Sequence, residues 1–115
     1  MDSNWTYAAR HDQVREGDVV LARVDGQEIA LYGLGGRVYA TDNLCTHGNA
    51  RLCDGFFEDG LIECPLHQGR FDVRDGRPMC KPVTQALRTY PVRIEDGQVF
   101  LDLYDQAAEV EWPDS

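Results

Sequence analysis

Short runs of hydrophobic positions, rich in β-branched and aromatic residues, recur along this chain between polar, glycine-bearing turns. They cover Asp18 to Val24, Glu28 to Leu34, Arg37 to Thr41, Leu61 to Glu63, Arg70 to Val73, Thr89 to Ile94 and Val99 to Leu103. Such side chains suit a pleated, half-buried surface, so each run predicts a strand. Asp-Gly falls at 25–26, 54–55, 59–60, 75–76 and 96–97, with Gly35-Gly36 besides. These dipeptides supply the positive φ angles that tight hairpin turns demand. Joined across them, the runs predict hairpins of 19–24 with 28–32, 28–32 with 37–41, and 89–95 with 98–103. The expected class is all-β, an antiparallel sandwich or barrel.

Residues 42–82 break this rhythm, because glycine, proline, cysteine and histidine concentrate there and strand periodicity nearly vanishes. That composition predicts loops built around something. Residues 1–103 read as a single domain and 104–115 as a weakly ordered tail with four acidic and no basic side chains. Only Gln106 to Trp112 could make a helical turn or two.

A chain of 115 residues with 43% hydrophobic content can pack one core without disulfides. The net charge of −9 and a pI near 4.6 weigh against nucleic acid and anionic membrane surfaces as partners. A basic protein partner, or simple solubility, suits that charge. No stretch reaches the roughly 20 apolar residues of a membrane helix. Met1-Asp2-Ser3-Asn4 lacks the basic start of a secretory signal, so a cytoplasmic protein is expected. In that reducing compartment the four cysteines, Cys45, Cys53, Cys64 and Cys80, point to metal ligation or buried thiols before disulfides.

Two of the three histidines stand beside two of these cysteines, as Cys45-Thr46-His47 and Cys64-Pro65-Leu66-His67. A zinc-stabilised binding module is one reading, since two cysteines and two histidines can hold structural zinc. Spacing favours another. Zinc pairs are usually about two to five residues apart, whereas one residue separates Cys45 from His47. In extended backbone these two side chains share a face about 6 to 7 Å apart. Each loop can then give one thiolate to a first iron and one imidazole to a second, which is the ligand set of a Rieske two-iron, two-sulfur centre. Neutral imidazoles leave the oxidised centre uncharged, so it accepts an electron more readily than an anionic all-cysteine cluster. A terminal oxygenase needs a further iron held by two histidines and a carboxylate. Only His11 is left over, so oxygenase chemistry in this chain alone is excluded.

Cys45-Thr46-His47-Gly48 and Cys64-Pro65-Leu66-His67-Gln68-Gly69-Arg70-Phe71-Asp72 resemble the Rieske-type ferredoxins. The closer likeness is to the ferredoxin components of aromatic-ring-hydroxylating dioxygenases of the naphthalene dioxygenase type. It runs from about Trp5 to Leu103 and includes Tyr39 to Leu44 and Lys81 to Thr84. The resemblance implies stacked antiparallel sheets, one 2Fe-2S cluster at the tip of two loops, and a covering loop containing Pro82. It also implies a monomeric electron carrier rather than an enzyme, loaded by an NAD(P)H-dependent flavoprotein reductase and emptied by a terminal oxygenase. The small Rieske-like subunit of nitrite reductase is a related alternative that often lacks a ligand, and all four are present here.

High-potential relatives carry a disulfide between the loops and hydroxyls that bond to sulfur. Here Ala50 and Leu66 stand at the disulfide positions, and Gly69 and Phe71 at the serine and tyrosine positions. Missing hydrogen bonds to the reduced state predict a low midpoint, roughly −150 mV. Cys53 and Cys80 have no histidine at ligand spacing and are expected to be structural thiols. His11, amid Arg10, Asp12 and Gln13, is expected at the surface. Gly48 and Gly69 permit close backbone approach, and Pro65 and Pro82 stiffen their loops.

Overall fold

A computed structural model describes residues 5–46, 50–66, 68–80 and 85–104, with Cys80 described by its backbone alone. The strands are β1 (Trp5–Arg10), β2 (Val19–Val24), β3 (Gln27–Leu34), β4 (Arg37–Asp42), β5 (Phe56–Glu58), β6 (Leu61–Glu63), β7 (Arg70–Asp72), β8 (Pro78–Cys80), β9 (Val92–Glu95) and β10 (Gln98–Asp102). They form three antiparallel sheets, in the orders β1-β10-β9, β2-β3-β4 and β5-β6-β7-β8. All-β architecture is what the β-branched and aromatic runs between turns predict.

Four hairpins close on two residues that both have positive φ: Asp25-Gly26 (52° and 81°), Gly35-Gly36 (64° and 78°), Asp59-Gly60 (56° and 80°) and Asp96-Gly97 (53° and 74°). This backbone matches the right-handed twist of the flanking strands, and it fixes the registers Val24 with Gln27, Leu34 with Arg37, Glu58 with Leu61 and Glu95 with Gln98. Asp54-Gly55 behaves differently. It ends a 3-10 turn at Leu52–Asp54 with Gly55 in extended backbone, and glycine is needed there because a side chain would strike the Glu63 carbonyl.

The β2-β3-β4 sheet is the middle layer of the stack. Ile29 and Leu31 of β3 pack into one apolar cluster with Val24, Val99 and Leu101, toward the β1-β10-β9 sheet. Ala30 and Tyr32, on the opposite face, pack into a second cluster with Leu52, Ile62, Phe71, Cys45 and Cys64. A strand covered on both faces loses its polar alternation, hence the unbroken run Ile29-Ala30-Leu31-Tyr32.

The structure adds three strands to those expected. In β1 the register shifts between Tyr7 and Ala9, and this bulge hides its period. β5 and β8 have three residues each, too few to show a period, and β8 opens on proline, which an edge strand tolerates at its first residue. The stretch 42–82 therefore holds a small sheet between its loops. Thr89 bridges to Thr41 of β4, so the last hairpin begins at Val92 rather than Thr89. Among the described residues no helix is long and apolar enough to cross a membrane. The tail expected at 104–115 lies outside the described residues from 105 onward.

Candidate metal centre

Both predicted ligand loops are closed by the same backbone geometry. In the first, Leu44 and Arg51 form an antiparallel bridge and the Cys45 N–H donates to the Ala50 carbonyl at 2.9 Å. In the second, Glu63 of β6 faces Arg70 of β7 and the Cys64 N–H donates to the Gly69 carbonyl at 2.7 Å. Each cysteine is thus the first residue inside a stem whose far side is a small residue followed by arginine. Gln68 takes a φ of 63° and donates its N–H back to the Cys64 carbonyl at 3.0 Å, which turns the second loop tightly enough for that closure.

The two thiols meet the same environment. Cys45 and Cys64 are 2% and 1% exposed, and both belong to the apolar cluster of Leu52, Ile62 and Phe71. Leu44 and Leu66, their chain neighbours, are instead 54% and 53% exposed. The loops therefore hold sulfur inward and present leucine outward. His47 and His67, with Gly48, Asn49 and the segment 81–84 that contains Pro82, lie outside the described residues. Among the described residues no three histidine, cysteine or acidic side chains gather into a metal-holding group. Two soft, buried thiol donors on matched loops fit the thiolate half of a 2Fe-2S site.

Side chains that the motif reading passed over brace the first loop. Asn43 is 1% exposed, its Oδ1 accepts the Cys53 N–H at 2.9 Å, and its Nδ2 donates to Glu28 Oε1 at 3.2 Å. Its backbone carbonyl takes the Leu52 N–H at 2.7 Å. Glu28, on β3, also receives Arg51 Nε at 3.2 Å and Arg23 Nη1 at 3.0 Å. The hydrogen bond from Asn43 and the two arginines hold its carboxyl below the usual range against the opposing effect of desolvation. Glu28 in turn raises the Arg51 guanidinium. Thr46 Oγ1 donates to the Gln85 carbonyl at 2.9 Å, tying the loop to the chain beyond residue 84. Beneath it, Tyr32 Oη and Thr41 Oγ1 share a buried hydrogen bond of 2.8 Å. Burial, far more than that bond can offset, pushes the tyrosine hydroxyl up.

Cys53 is a free, half-buried thiol in the 3-10 turn after the first loop. His11 is half-buried in a surface turn and donates its backbone N–H to Gly97. Phe71 is fully buried among the two cysteines' apolar neighbours and offers no hydroxyl. The Cys80 side chain is outside the described set.

Residues 4–91 match the Rieske 2Fe-2S domain. The chain belongs to that family. It is 57% identical over 103 residues to the ferredoxin component of the naphthalene 1,2-dioxygenase/salicylate 5-hydroxylase systems of a Ralstonia species, covering 90% of this chain and 99% of the relative. The ferredoxin of carbazole 1,9a-dioxygenase from Nocardioides aromaticivorans superposes with a TM-score of 0.81 at 39% identity, over 86% of this chain and 97% of that one. A chain from the complex of reduced oxygenase and oxidized ferredoxin in carbazole 1,9a-dioxygenase superposes with a TM-score of 0.80 at 32% identity, over 88% and 94%. The cofactor of this Rieske chain is a 2Fe-2S cluster.

Proposed function

We propose that this chain carries single electrons as the ferredoxin of an aromatic-ring-hydroxylating dioxygenase system, between a flavoprotein reductase and a terminal oxygenase, in the cytoplasm. Cys45 and Cys64 supply the thiolates, and His47 and His67 the imidazoles, of its one cluster. The observation that carries the reading is the pair of matched loops, each opening on a buried cysteine.

When bound, the cluster supplies a centre that accepts and returns one electron. The protein does the rest with packing. Leu52, Ile62 and Phe71 keep water from the thiols. The paired stems, one beyond β4 and one between β6 and β7, set both sulfurs in one apolar cluster, which limits movement between redox states. Leu44 and Leu66 give a partner an apolar contact beside the loops. The nearby arginines are engaged at home: Arg70 with Glu63 at 3.0 Å and Arg51 with Glu28 at 3.2 Å. Partner recognition at this end then rests on shape and apolar area more than on free positive charge.

Electron paramagnetic resonance of the dithionite-reduced protein tests the assignment. The expected result is a rhombic signal whose average g value lies below that of the free electron, from a red-brown protein that bleaches on reduction. Cys45→Ser and His67→Ala variants lose that signal. A colourless, silent protein containing zinc overturns the reading. Electron delivery from reductase to oxygenase, absent without this chain and restored by it, tests the role.

A further inference from the structure

Beside the cluster-bearing half, the β4 and β9 strands diverge and leave a surface groove of about 540 Å³. They start from close pairing, since the Tyr90 N–H donates to the Ala40 carbonyl at 3.1 Å and Thr89 bridges to Thr41. The walls are apolar and aromatic, with Tyr39, Pro91, Val92 and Ile94, and the charged residues on its lining are Arg37 and Arg74. In a chain with 20 acidic and 11 basic side chains, a groove whose lining holds two arginines and, among the described residues, no carboxylate is out of character. Asp72 engages Arg74 at 2.9 Å from outside the lining, whereas Arg37 is exposed at the start of β4.

The last described residues run along one end of this groove. The Asp102 N–H donates to the Pro91 carbonyl at 3.2 Å, and Arg88 Nη2 donates to the Leu103 carbonyl at 3.0 Å. Residues 105–115 follow from that point, with Asp105, Glu109, Glu111 and Asp114, no basic side chain, and Val110 and Trp112 between the acids. This is the complement of the groove in both charge and apolar character. The reach suffices: Trp112 lies eight residues past Tyr104, up to about 27 Å of extended chain. From Pro91 to Ile94 the groove edge spans only about 10 Å. The match to the Ralstonia ferredoxin covers 103 of 115 residues and 99% of that relative, so the shared carrier function does not account for a segment of this length.

We propose that residues 105–115 dock intramolecularly in the groove between β4 and β9, with Trp112 against Tyr39, Val92 and Ile94 and the flanking carboxylates facing Arg37 and Arg74. Tethering makes weak pairing sufficient, because a short linker holds the segment at an effective concentration near the millimolar range. An aromatic ring gives the largest apolar burial per residue, and carboxylates on both sides of it select the arginine-lined groove over the acidic remainder of the surface. The inference is independent of the electron-carrier reading.

Amide proton–nitrogen correlation spectra of the full chain test it. Against the native chain, Trp112→Ala is expected to shift amides of residues 36–40 and 89–94 and leave the far hairpin at 25–26 unmoved. The double variant Glu109→Lys and Glu111→Lys shifts the same set, and Arg37→Glu shifts the amides of 105–115 from the other side. Rising salt moves the native spectrum toward the variants. Superposition of the groove amides in native and Trp112→Ala chains overturns the proposal. So do shifts that grow with protein concentration, which place the segment on a second copy.

Discussion

The two cysteine loops share a backbone and differ in what steadies it. The second loop caps a regular hairpin, β6 with β7, so ladder hydrogen bonds hold its stem and one exposed ion pair, Glu63 with Arg70, straddles it. The first loop leaves β4 and enters a 3-10 turn, joined among the described residues by a single bridge, Leu44 to Arg51. There side chains take over: Asn43 and Arg51 of the loop meet Glu28 on β3, Asn43 also holds the Cys53 N–H of the turn, and Thr46 reaches the Gln85 carbonyl. A sulfur position can be fixed by strand pairing or by buried polar side chains. This fold uses one device for each loop.

Replacing Asn43 by alanine breaks the comparison most sharply. It strips the part-buried Cys53 N–H of its acceptor and empties a side-chain position that is 1% exposed. An unsatisfied buried donor costs about 2 kcal/mol, and chemical denaturation of the cluster-loaded chain is expected to show that loss together with faster cluster release. Arg70→Ala on the second loop is expected to lose far less, as exposed ion pairs do. Next comes Tyr32→Phe, which removes the 2.8 Å bond to Thr41 from the layer under the first loop and is expected to lower stability by about 1 kcal/mol.

Acid sharpens the contrast further. Glu28 titrates below its ordinary value when folded. Its contribution is therefore present above the unfolded carboxylate range and fades as pH falls through the lowered folded value. Stability measured against pH is expected to fall less steeply in Glu28→Gln than in the native chain over that window, and parallel curves would remove Glu28 from the brace. Phe71→Tyr has the smallest expected effect on folding. It places a hydroxyl in the cluster that packs on both cysteines and is expected to raise the midpoint potential in a redox titration.

Much of this was legible before any coordinates. Asp25-Gly26, Gly35-Gly36 and Asp96-Gly97 announce their hairpins because few other pairs accept two positive φ angles. Asp59-Gly60 carries the same signal, but three-residue strands on either side hide it. β1 pairs with β10 from the other end of the chain, and no local pattern reports such a partner. At the site, the cysteines stand out by residue type, whereas the Asn43 to Glu28 contact joins ordinary polar residues far apart in sequence. One signal went unused: Cys45 and Cys64 each precede, at the same interval, a small residue and an arginine, as Ala50-Arg51 and Gly69-Arg70. That repeat is the imprint of two equal loop closures.

β3 has one further consequence. Its odd and even side chains belong to different apolar clusters, so neither cluster can come apart while the other keeps its packing on this strand. Three small sheets, which as separate hairpins would each be marginal in water, are thereby bound into one cooperative melting unit. Amides of β3 are the ones that should yield to solvent exchange only when the whole molecule opens, and the loops that carry the sulfurs inherit that permanence through Glu28 and the even-numbered apolar side chains of this strand.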